Sequence, residues 1–89
     1  MTRKTLMDGI TDRAGDRLKS FLDDVEAPPK RSIRYRITNG RGELTVDTQD
    51  PSDLAFEHGG RTVLVVDSVA AEAVAGRKVD FRDGDFCLV

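Results

Sequence analysis

The patterning of this chain predicts an α+β fold, on three observations. One long amphipathic helical stretch stands near the N-terminus. Most later apolar segments either alternate with a period of two or form a short β-branched run. Turn residues separate those segments at close intervals. Runs of strands with few helices favour packed, mostly antiparallel β-strands over a doubly wound sheet.

Each element follows in order. Residues 1–9 have no clear period and are read as a loose arm or a short strand. Thr11 is a good helix N-cap, and Asp12 places an anion in the first turn, where the helix dipole favours it. Ala14, Leu18, Phe21, Leu22 and Val25 recur at helical spacing, with Arg13, Asp16, Arg17 and Lys19 opposite. Gly15 costs about 1 kcal/mol against Ala in mid-helix, so its presence calls for a close approach, such as helix backbone against a sheet. Pro28-Pro29 stops the helix. From Ser32 to Thr38, Ile33, Tyr35 and Ile37 alternate with Arg34 and Arg36, which predicts a half-buried strand with both arginines on its outer face. Asn39-Gly40-Arg41-Gly42 is a turn into a second strand, Glu43 to Asp47, with Leu44 and Val46 inward. Thr48 to Asp53 is a polar loop. Leu54 to Glu57 is a short strand, and His58-Gly59-Gly60 turns it into Thr62–Val66, an aliphatic run suited to the centre of a sheet. Asp67-Ser68 caps a short helix, Val69 to Ala75, which Gly76 ends. Lys78 to Phe81 and Asp85 to Val89 form a last hairpin about Asp83-Gly84.

The 89 residues are read as one domain, 1–89. At that size only about 60–65% of the unfolded surface is buried, which favours a shallow surface site over a deep one. The apolar fraction is 38% and the charged fraction 34%, as in a globular chain with a highly charged surface. The net charge of −2 gives no bulk attraction to nucleic acid or anionic membrane. Residues 1–46 carry ten Lys/Arg and seven Asp/Glu, and residues 47–89 carry four and nine. No leader-like apolar stretch stands within Met1 to Gly9, and no apolar run approaches the ~20 residues of a membrane span. With one cysteine and so no internal disulfide, the expected location is a reducing cytoplasm.

The chemistry-bearing residues are few. Cys87 is the one cysteine and His58 the one histidine, so no CxxC or HExxH spacing exists, and a zinc site of three or four Cys/His ligands lacks its donors. No metal or other cofactor is expected. Cys87 is expected as a small packing residue of a terminal strand, since nothing basic adjoins it to lower its thiol pKa. His58 is expected as an exposed turn residue. The turn Asn39–Gly42 joins two strands and lacks the lysine and hydroxyl of a phosphate loop. Arg34, Arg36 and Arg41 form the densest basic surface and the candidate contact for a protein partner. Tyr35 points away from them, so the stacking platform of a single-strand binder is missing and nucleic acid is disfavoured. Two alternatives stand beside this docking face. Cys87 and His58 from each of two chains supply four ligands for iron or an iron–sulfur cluster. Asp80, Asp83 and Asp85 would serve an enzyme if they lined a pocket, but they are read as a solvated turn. The chain is not expected to be an enzyme.

Two segments carry a family resemblance. Ile10 to Leu18 resembles the opening I-T-x-x-A-x-x-x-L helix of the HesB/IscA-like family, the A-type iron–sulfur carriers. Phe56 to Ser68, continued by Ala75 to Phe81, is similar to that family's G-x-x-V-x-V-D-x-x-S … G-x-x-I-D-Y pattern. The resemblance spans nearly the whole chain and implies a HesB-like compact fold, with the first helix against packed strands. It also implies where three cluster-binding cysteines would sit: one in a Gly-Gly-Cys-Ser-Gly turn after the first strand, and two in a Cys-Gly-Cys tail. Here the turn is Asn39–Gly42, without cysteine. The sequence is expected to stop short of the tail, and Cys87 matches none of the three positions. The chain thus resembles a degenerate member, an accessory or docking module of iron–sulfur cluster biogenesis without a complete cluster site of its own.

Overall fold

A computed structural model describes residues 7–89 of the chain. Its elements run β1 (Gly9–Ile10), α1 (Asp12–Asp24), β2 (Arg31–Thr38), β3 (Arg41–Thr48), β4 (Leu54–His58), β5 (Arg61–Val66), α2 (Ser68–Ala73), β6 (Lys78–Arg82) and β7 (Asp85–Leu88). They form a four-stranded sheet in the order β3-β2-β5-β4 and a three-stranded sheet in the order β1-β6-β7. The α+β class predicted from patterning is the class observed.

Three antiparallel hairpins, β2–β3, β4–β5 and β6–β7, supply the local pairing. Each closes on two left-handed residues. Asn39 and Gly40 have φ of 52° and 78°, and Gly59-Gly60 and Asp83-Gly84 repeat the pattern. This turn matches the right-handed twist of the flanking strands. The first turn is accordingly tighter than the four residues expected, since Thr38 already pairs with Arg41. Long-range pairing is parallel, with β2 beside β5 and β1 beside β6. The aliphatic β5 is central, and Val63 to Val66 are buried.

Helix α1 lies against both sheets. Thr11 caps it, accepting from the Ala14 amide at 3.3 Å, while its own hydroxyl donates to Asp80 Oδ1 at 2.6 Å. One residue thus starts the helix and ties it to β6. Ala14, Leu18 and Leu22 join Ile33, Leu64, Val66 and Val79 in the core. The helix ends at Asp24, before the prolines. Glu26, at φ 54°, sends its amide to Asp23 and the Ala27 amide to Leu22, a left-handed cap that releases the chain. Arg61 then bonds the carbonyls of Ala27, Pro28 and Arg31.

Residues 1–6 of the stretch read as a loose arm lie outside the described residues. In the remainder, Met7 is buried and its amide bonds the Ala71 carbonyl at 3.0 Å, while β1 takes up the alternative reading of a short strand. Phe21 and Val25, which share the helical spacing of Ala14, Leu18 and Leu22, are exposed.

Candidate functional site

The outer face of β2 and β3 differs from its expected form. Arg34 is buried, at 7% exposure, and is not part of a contact surface. Its guanidinium bonds Asp53 Oδ2 at 2.6 Å and Oδ1 at 2.9 Å, Asp47 Oδ2 at 2.8 Å, and the Thr48 carbonyl at 3.1 Å. The loop after β3 folds back over that face and brings Asp53 with it. Asp53 above all, then Asp47, holds Arg34 firmly protonated against the cost of its burial. The same bonds keep the Asp53 carboxyl below its ordinary range. Period-two alternation identifies a strand's two faces but not which loop covers one of them.

Arg36 and Arg41 stay exposed. Arg36 sits opposite Glu43 and 3.8 Å from Asp47, and Arg41 leads out of the turn. The face is therefore mixed in charge rather than a basic stripe. Tyr35 points to the other side of the sheet, into an apolar cleft of about 210 Å³ shared with Leu44, Val79, Phe86, Leu88 and Cys87. Gly42 leaves room for that ring, since a Cβ there would stand 2.7 Å from the Tyr35 hydroxyl. A second apolar groove of about 230 Å³ adjoins it between α1 and β3, lined by Arg17, Phe21, Leu44, Val46 and Phe86 among others.

Asp80 is no solvated turn residue. At 1% exposure, it accepts from the Thr11 hydroxyl, from the Phe81 amide at 2.8 Å and from Arg82 Nε, with Arg13 at 3.9 Å. The Thr11 hydroxyl, with the Phe81 amide, Arg82 and Arg13 behind it, outweighs desolvation and lowers its pKa to about 2. Asp83 and Asp85 are exposed, as expected of the turn. The three do not converge on a pocket. Asp80 has the surroundings of a structural carboxylate, joining the helix start to β6.

This fixes a pH dependence. Asp80, with Asp23, Asp47, Asp50 and Asp53, has a folded pKa below the ordinary value of 3.8. A depressed carboxyl stabilises the fold fully above the unfolded pKa and loses that contribution as pH falls through the folded one. Stability should therefore hold from neutrality to about pH 4 and fall steeply from about 4 towards 2. Carboxyl titration by NMR should place the Asp80 midpoint near 2. A midpoint near 3.8 would contradict the Thr11 contact.

His58 is half-buried rather than exposed. Its Nε2 lies 2.6 Å from Asp16 Oδ1, and its ring covers Gly15. A Cβ on Gly15 would meet His58 Nδ1 at 2.5 Å and Cγ at 2.6 Å. The close approach expected of Gly15 is real, but it is made by a side chain from the end of β4. Cys87 is a free, half-exposed thiol in β7, opposite Asp80. Cys87 and His58 thus stand on different sheets with different neighbours. Among the described residues, no three His, Cys, Asp or Glu side chains gather in a cluster able to hold a metal ion. The donors present do not fit an intrachain iron–sulfur cluster, which takes four such ligands. No helix among the described residues is long and apolar enough to cross a membrane.

The two helices and two mixed sheets form an α+β scaffold consistent with the HesB-like fold. In sequence, no family model and no curated protein matches the chain. In structure it is similar to SufA of Escherichia coli, a protein involved in biosynthesis of iron–sulfur clusters. The TM-score is 0.66 with 26% identity, over 91% of this chain and 82% of that one. A protein from Aquifex aeolicus solved by NMR in solution has the same fold, with TM-score 0.63 and 19% identity over 100% of this chain and 95% of that one.

Proposed function

We propose that this chain is a non-catalytic, HesB-like docking module linked to iron–sulfur cluster biogenesis, which works through a protein partner and holds no complete cluster site of its own. The observation that carries the reading is the Asn39-Gly40 turn on a SufA-like scaffold. It stands where the resemblance would put a cysteine-bearing turn, and it is a two-residue hairpin with no thiol and no slack. Cys87 supports the same reading, being held within a paired strand opposite Asp80. The exposed Arg36 and Arg41, without Arg34, are the contact candidates, and a cytoplasmic setting suits the free thiol.

Affinity capture with the wild type, against an Arg36→Glu/Arg41→Glu variant, tests the docking face. Enrichment of iron–sulfur assembly proteins by the wild type, reduced at least fivefold in the variant, is expected. Equal recovery by both would remove the two arginines from the account.

A further inference from the structure

We propose that the two apolar clefts form one ligand site, and that it takes a medium-chain aliphatic carboxylate whose head group is held by Arg17. The clefts, of about 210 and 230 Å³, share Leu44 and Phe86. They therefore run together as one trough bounded by α1, β3 and β7. Joined, they reach the size of a small-ligand cleft, about 300–1,000 Å³. Charged residues make up 34% of the chain, yet among the described residues that line the trough Arg17 alone carries a charge. Arg36, Arg41 and Glu43 alternate onto the opposite face of the sheet.

Arg17 is held in place but left without a counter-ion. Arg13, Arg34, Arg36, Arg61 and Arg82 each have a carboxylate at 3.9 Å or less. Arg17 has none among the described residues. Its guanidinium lies 5.8 Å from the centre of the Phe81 ring, and Phe81 packs at 4.9 Å against Phe86, a wall of both clefts. The aromatic face fixes the cation beside the trough and leaves its N–H fork unclaimed. Such a planar fork takes a carboxylate through two parallel hydrogen bonds.

The occupant follows from this division of charge. One unpaired cation calls for a single negative head, and walls of Leu44, Val46, Phe86 and Leu88 call for an aliphatic tail. A tail laid along the trough would cover Phe21, otherwise 41% exposed, and each methylene removed from water there adds to affinity. An anionic lipid surface is a poorer match, because it is bound by clusters of basic residues and the trough holds one.

Titration with sodium decanoate, kept below its micelle-forming concentration and followed by heteronuclear NMR, tests the site. The Arg17, Phe21, Leu44 and Phe86 amides should shift together and saturate. Decyltrimethylammonium has the same chain with the opposite charge and should bind at least tenfold more weakly. Arg17→Gln removes the charge at an exposed position, so the fold should persist while decanoate binds about tenfold more weakly. Absence of a saturable shift overturns the proposal. So does equal binding of the anionic and cationic chains, or of decanoate by wild type and Arg17→Gln, since either leaves only general apolar adsorption. Tighter binding of N-acetyl-leucyl-glutamate than of decanoate would assign the trough to an acidic peptide. The same shifts on concentrating the protein without decanoate would assign it to a second copy of this chain. Each of these two results also contradicts the proposal. None of the outcomes bears on docking through Arg36 and Arg41, which lie on the other face of the sheet.

Discussion

Arg34→Ala is expected to destabilise the fold by about 3 kcal/mol, because removing one partner of a buried ion pair strands the other. Asp53 has a side chain only 4% exposed and both of its oxygens on Arg34, so the substitution leaves a buried carboxylate unmatched. The loop that Asp53 anchors also carries Gln49, whose amide reaches Ser32 Oγ at 2.7 Å and the Pro29 carbonyl at 3.0 Å. Loss of Arg34 should therefore loosen the strap over the outer face as well as the pair itself. Thermal unfolding should show a midpoint lower by about 15 °C for a chain of this size. Arg34→Ala/Asp53→Ala should recover part of the loss, because no unpaired charge is then buried. A midpoint shift under about 3 °C for the single variant, well inside the range of ordinary surface changes, would show that the cluster is not structural.

Gly15→Ala should also destabilise, against the usual trend. In an ordinary helix interior the change gains about 1 kcal/mol. Here the added methyl would lie within 2.6 Å of two ring atoms of His58, and overpacking of this kind costs about 1–3 kcal/mol. The ring must move, and its contact with Asp16 goes with it. A net loss of about 1 kcal/mol is the expected balance. In a His58→Ala background the obstruction is absent, so the same Gly15→Ala change should gain about 1 kcal/mol. That reversal of sign, read by urea denaturation, separates the packing account from any general intolerance of the helix. The same sign in both backgrounds would refute it.

These two residues mark the limit of what the sequence shows. Thr11 as N-cap, the three hairpins, the buried Val63–Val66 strand and the α+β class are all set by local signals: a capping side chain, period-two alternation, paired turn residues. Each acts within a few positions, so each is visible in one dimension. Arg34 was expected on an open face, because alternation cannot reveal that the loop before β4 returns across it. Asp80 looked like part of an acidic turn, because its partner Thr11 is sixty-nine positions away. The parallel pairings of β1 with β6 and β2 with β5 have no local signature. Gly15 did announce a close contact, but only the fold shows that the neighbour is an imidazole. Of the candidate site, Arg36 and Arg41 kept their expected exposure. Cys87, expected as a packing residue of the terminal strand, keeps its place in β7 but is half-exposed at a cleft.

Anaerobic reconstitution with iron and sulfide tests the central claim most directly. After desalting, wild type and Cys87→Ser should alike retain no stoichiometric iron or acid-labile sulfide and show no cluster absorbance. Retention of about one cluster per chain or per two chains, lost in Cys87→Ser, would contradict the account and make Cys87 a ligand.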